Sequence, residues 1–118
     1  MGVRLTILDE QDNILYYGSK LYGYVDDLEE SKSLKYLWDI KSEYLIKEHD
    51  YKDFEDLALS MNAYTYCDKL CKITIPQLKE FLKLYDEDLQ ACGRPYVIAE
   101  EVMAEIPADV ECVWLEWG

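Results

Sequence analysis

The chain has 118 residues, half of them apolar, with 25 acidic against 12 basic side chains and a formal net charge of -13. That length predicts a single domain over 1–118 with one core, and so large an apolar share offsets the entropy of ordering the chain, which excludes a disordered acidic tail. The charge excludes direct binding to nucleic acid or an anionic membrane, since both draw on clustered Lys and Arg, and the densest basic stretches, around Lys32 to Lys35 and Lys69 to Lys72, are interleaved with apolar and acidic residues.

Val3, Leu5 and Ile7 alternate with Arg4, Thr6 and Leu8, the period of a half-buried strand. Asp9-Glu10-Gln11-Asp12-Asn13 reads as a turn, Ile14 to Tyr17 resumes extended character, and Gly18-Ser19 allows a bend or bulge. Leu21 to Val25 alternates again, so the chain is expected to start with a β-hairpin or short meander.

From Leu28 to about Glu48 the period changes. Leu34, Leu37, Trp38, Tyr44 and Leu45 recur at three- and four-residue spacings, which predicts a helix, with Asp27 and Glu30 as a variant capping box at its start. A second helix after Asp50 carries Phe54, Leu57, Ala58 and Met61 on one face. Tyr64 to Ile75 is open between strand and helical extension, because Tyr, Thr and Ile favour extension while Asp68, Lys69 and Leu70 do not decide.

Thr74-Ile75-Pro76-Gln77 announces a helix start three ways: a capping hydroxyl, an early proline and a glutamine at the third helical position. Leu78, Phe81, Leu82, Tyr85 and Leu89 then mark an apolar face, and Gly93 with Pro95 marks the stop. Tyr96 to Ile98 reads as a brief strand, Glu100 to Ile106 as a helical turn or two ended by Pro107, and Val110 to Trp117 as a final strand. In that strand Val113, Leu115 and Trp117 share one face while Cys112, Trp114 and Glu116 share the other. The expected fold class is α+β: a small, mostly antiparallel sheet made of an N-terminal hairpin and a C-terminal strand, packed against about three helices.

The motifs of known chemistry are not found. Gly2, Gly18, Gly23, Gly93 and Gly118 are spaced too widely for a phosphate-cradling loop. Calcium loops read from Asp9 or Asp86 place Ile14 or Ala91 at the glycine position and Lys20 or Val97 at the bidentate glutamate position, and both fail. His49 sits between Glu48 and Asp50 with no nucleophile motif, and Cys67 with Cys71 is one loose pair where a zinc site shows two tight ones. No catalytic residue, metal site or cofactor is expected. No signal-peptide stretch follows Met1, and Cys67, Cys71, Cys92 and Cys112 read as reduced thiols, which together imply the cytoplasm of a bacterial cell or infected host.

What remains is negative charge combined with tyrosine, of which there are eleven. Tyr16, Tyr17, Tyr22 and Tyr24 lie along the expected hairpin beside Asp9, Glu10, Asp12, Asp26 and Asp27. From Asp86 onward nine carboxylates face Arg94 alone. Tyrosine supplies rigid area with a polar tip, and carboxylate arrays steer encounters with cationic surfaces. The expected partner-binding residues are therefore Asp9, Glu10, Asp12, Tyr22, Tyr24, Asp26, Asp27, Asp86, Glu87 and Asp88, with Trp114 and Trp117 as apolar anchors. They point to a non-enzymatic module that binds a basic protein surface, in the manner of a phage or mobile-element inhibitor that imitates nucleic acid. The alternatives are an assembly protein pairing its own subunits, and a small metal-dependent hydrolase using Cys67, Cys71 and His49.

Overall fold

The computed structural model describes residues 4–40, 51–62 and 67–118. Among them the elements run β1 (Leu5–Leu8), β2 (Ile14–Tyr16), a 3-10 turn (Leu28–Glu30), α1 (Lys32–Asp39), α2 (Phe54–Asn62), β3 (Cys67–Thr74), α3 (Ile75–Ala91), α4 (Ala99–Ala104) and β4 (Cys112–Trp117). The strands form one sheet in the order β2-β1-β4-β3 with every neighbour antiparallel. The α+β class, the N-terminal hairpin and the C-terminal strand are as expected, and the described part of the open segment, Cys67–Thr74, is a strand.

β4 lies between β1 and β3, with Ile7 opposite Leu115 on one side and Ile73 opposite Val113 on the other. Alternation decides its faces: Val113, Leu115 and Trp117 are buried, while Cys112, Trp114 and Glu116 are half-buried. Leu5, Ile7 and Ile73 join the buried set, which meets Leu78, Phe81, Leu82, Tyr85 and Leu89 of α3, Leu34 and Leu37 of α1, and Leu57, Ala58 and Met61 of α2. Trp117 belongs to this core at 3% exposure and does not serve as a surface anchor.

α3 begins as its sequence requires. Thr74 Oγ1 accepts from the Gln77 backbone N–H, and the Gln77 side chain accepts from the Thr74 N–H, a complete capping box. It ends with Gly93 at φ +75, where Gly93 N–H donates to Gln90 and Arg94 N–H to Leu89, the paired bonds that close a helix at a left-handed residue. α1 starts later than expected. Asp27 caps only the 3-10 turn, accepting from Glu29 N–H, and Ser31 caps α1 by accepting from Leu34 N–H. α1 runs to Asp39, and the expected continuation through Tyr44 and Leu45 lies outside the described residues, as does His49.

Leu21 to Val25 is not a strand. The chain leaves the sheet at Gly18, whose backbone packs so close to β1 that an added Cβ would stand 1.6 Å from the Leu5 carbonyl oxygen. Turns follow, and Tyr22 adopts φ 65, a left-handed conformation unusual for a tyrosine. The Tyr85 hydroxyl holds it there, donating to the Lys20 carbonyl at 2.5 Å and accepting from Tyr22 N–H at 2.6 Å. The Tyr22 ring meets Tyr85 edge-on at 5.2 Å, and at 2% exposure it is a core residue and not a contact surface. Tyr96 to Ile98 is also not a strand, because its end is captured by α3.

That capture comes from two carboxylates expected to be solvated. Asp88 accepts from Ser31 Oγ at 2.7 Å, Lys32 N–H at 2.7 Å, Ser33 N–H at 3.1 Å and Ser33 Oγ at 2.5 Å, at the first turn of α1. Since the Ser33 proton goes to Asp88, the Tyr22 hydroxyl donates in turn to Ser33 Oγ at 2.7 Å. Asp86 accepts from Ile98 N–H at 2.7 Å and Ala99 N–H at 3.2 Å, capping α4, whose own N-cap residue supplies no side-chain bond. Both carboxylates are buried, so Asp86 and Asp88 hold the fold and are removed from the partner-binding set.

Replacing Asp88 by Ala strands four donors and Asp86→Ala two. By urea unfolding the first substitution is expected to lower stability by about 3–4 kcal/mol and the second by about 2 kcal/mol. Equal, small effects would show that the bonds contribute little. Gly18→Ala, which forces β1 and the following turn apart, is expected to cost more than about 3 kcal/mol in the same assay.

Candidate functional site

Antiparallel pairing fixes where the acidic ends of the chain meet. Leu8 at the end of β1 lies opposite Trp114 near the start of β4, so the turn after β1 must overhang the segment that leads into β4. Asp9, Glu10 and Gln11 form one wall of a cleft of about 340 Å³, and Pro107, Asp109, Val110, Glu111 and Cys112 form the rest. The second wall is held in place by Val110 N–H donating to Pro107 and by Ile75 N–H, at the start of α3, donating to Glu111. Four carboxylates from opposite ends of the sequence therefore converge on one depression.

They do not all do the same thing. Asp9 is engaged in its own turn: Oδ1 accepts from Gln11 and Asn13 N–H at 2.9 and 2.8 Å, and Oδ2 from the Asn13 side chain at 2.9 Å. The Asn13 amide, aided by the two backbone donors and opposed by partial desolvation, lowers the Asp9 pKa below its ordinary value. Glu10 pairs with Lys72 at 2.9 Å, and the same ammonium sits 5.8 Å from the Trp114 ring centre on the half-buried side of β4. Asp109 and Glu111 are exposed, and no lysine or arginine among the described residues reaches either. Cys112, a free half-buried thiol, lies at the cleft's edge.

The remaining expected residues scatter. Asp12 occupies the hairpin turn at φ 66. Asp26 pairs with Arg94 at 3.3 Å, and Glu87 lies 3.6 Å from Lys32 on the exposed side of α3. Tyr17 accepts from Arg4 at 3.2 Å, and the ring of Tyr24 packs 5.3 Å from that of Tyr96. Asp109, Glu111, Tyr96 and Val97 were not among the expected contacts. The signal for the first two was the register of β1 against β4, which composition does not carry.

Among the described residues no three His, Cys, Asp or Glu side chains are grouped to hold a metal ion, and no helix is long and apolar enough to cross a membrane.

The turn supplies a pH test. A carboxylate whose folded pKa is lowered contributes stability that is complete above its unfolded value, about 4, and is lost as pH falls through the folded value. Asp9→Asn is therefore expected to be less stable than the parent at pH 7 and to approach it at acid pH, read as urea midpoints across that range. A gap that stays constant would show that the Asp9 charge does not hold the turn.

No family model, characterised protein or solved structure is found to be similar to this chain.

Proposed function

We propose that the protein is a non-enzymatic acidic module that binds a basic protein surface, of the kind a nucleic-acid-binding protein presents to phosphate, and that it acts in the cytoplasm. The observation that carries this reading is the convergence of Asp9 and Glu10 with Asp109 and Glu111 on one cleft whose described lining includes no lysine or arginine, Lys72 reaching Glu10 at its border. Like charges brought together repel, and that repulsion is relieved when a cationic side chain enters. Pro107 and Val110 line the same cleft and suit the methylene stem of an arginine or lysine, whose charged head would lie between Asp109 and Glu111.

Exposed charges are screened over about 8 Å at physiological salt, so this cleft contributes more to encounter and orientation than to affinity. The same charge disfavours pairing of two copies through this face.

A short arginine-rich peptide tests the reading. It is expected to bind the parent with an affinity that falls as salt rises, and the double substitution Asp109→Lys with Glu111→Lys is expected to weaken it by at least about tenfold at low ionic strength. Both positions are exposed, so the thermal midpoint should hold. Unchanged affinity in the double variant would overturn the assignment of the cleft.

A further inference from the structure

A second surface is carried by the chain just before α4, as the second wall of the cleft is carried by the chain after it, and has a different character. Tyr96 is 47% exposed and Val97 63%, yet the segment that carries them is fixed at both ends. Its start is locked by the bonds from Gly93 and Arg94 to the end of α3, and its end by Asp86 accepting from Ile98 and Ala99. Between these anchors the Tyr96 ring packs on Tyr24, and Arg94 pairs with Asp26 of the neighbouring turn. Ile98, the next residue, is buried at 3% exposure. Two large apolar side chains are thus held rigidly toward solvent by a backbone with little freedom to withdraw them.

Such an arrangement suits binding, because the ordering entropy of the loop is already lost before a partner arrives. Aromatic side chains on a rigid support are the usual carriers of binding energy at the centre of an interface. The rim decides what kind of partner fits. Arg94 neutralises Asp26 and Lys20 neutralises Glu101 at 2.9 Å, while Asp27, Glu100 and Glu105 have no cation within ion-pair distance among the described residues. Tyr16 lies in the same neighbourhood, and its pKa is raised by burial and then by the negative charge of Glu101. A second copy of this chain would bring a like-charged rim against this one.

The geometry points to Tyr24, Tyr96 and Val97 as an apolar docking patch for a protein surface whose own apolar centre is ringed by lysine or arginine. This patch is separate from the cleft and requires apolar side chains in its partner, which the cleft does not.

Two amidated peptides distinguish the surfaces: one alternating lysine with leucine, one of lysine alone. Followed by NMR titration of the whole chain, the alternating peptide is expected to shift the resonances of Tyr24, Tyr96 and Val97, and Tyr96→Ala is expected to weaken its binding by about tenfold. Tyr96→Ala should leave binding of the all-lysine peptide at Asp109 and Glu111 unchanged, so that loss of one site does not register as loss of the other. Three outcomes would overturn the patch: no shifts there at millimolar peptide, equal shifts from a glutamate-leucine peptide, or sedimentation showing that the parent dimerises through it and that Tyr96→Ala restores a monomer.

Discussion

Two carboxylates two residues apart on one helix organise this molecule. Asp86 and Asp88 stand on opposite borders of the apolar stripe of α3, so each faces the start of a different helix. Asp88 receives the first turn of α1 and Asp86 the first turn of α4. The first backbone N–H groups of a helix have no partner within it, and the partial positive charge there favours a carboxylate. A single strand-to-strand connection thus becomes the point from which α1 and α4 are oriented. Both candidate surfaces depend on it: the loop with Tyr96 and Val97 ends at Asp86, and α4 carries the chain from there to Asp109 and Glu111.

The interior around these acids is polar yet fully connected. Tyr22 donates to Ser33, Ser33 to Asp88, and Tyr85 bridges Lys20 and Tyr22, so each hydroxyl has a stated role. Burial raises the pKa of Tyr22 well above its ordinary value, raises Tyr85 as well, and pushes the Cys71 thiol up to about 12. Burial disfavours the charged form of each, so Tyr22 and Tyr85 act as neutral hydrogen-bonding groups and Cys71 as a small apolar one. A network of this kind admits few alternative packings, and it accounts for a tyrosine held at positive φ.

The elements that were legible in the sequence were those specified locally. Thr74, Pro76 and Gln77 lie within one helical turn, and Leu78 to Leu89 repeats on one face, so nothing distant was needed to read α3. The alternation of Val113, Leu115 and Trp117 likewise identified β4, although it did not say which face is buried, and Trp117 lies in the core where it was expected at the surface. What escaped reading was set by contacts distant in sequence. Tyr22 pairs with Tyr85 and Ser33, and Asp88 with Ser31 to Ser33, so local composition alone made Tyr22 an exposed strand residue and Asp88 a solvated one. The site followed the same rule. Asp9 and Glu10 were recognised as charged, but their meeting with Asp109 and Glu111 depends on which strand lies beside β1.

Backbone capping by carboxylates in this protein divides by side-chain length. Among the described residues the carboxylates that accept backbone N–H groups are all aspartates: Asp9 and Asp27 in turns, Asp53 and Asp56 at the start of α2, Asp86 and Asp88 on α3. One methylene between backbone and carboxylate lets an aspartate reach a nearby amide without losing much side-chain freedom. The glutamates Glu10, Glu87 and Glu101 instead reach lysines, and Glu100, Glu105 and Glu111 stay at the surface. Of these aspartates only Asp86 and Asp88 are buried, so theirs is the charge turned away from a partner. Among the carboxylates that stay exposed, Asp109 and Glu111 lie at the cleft and Glu100 and Glu105 follow the loop that carries Tyr96 and Val97, so the chain just before and just after α4 supplies both candidate surfaces.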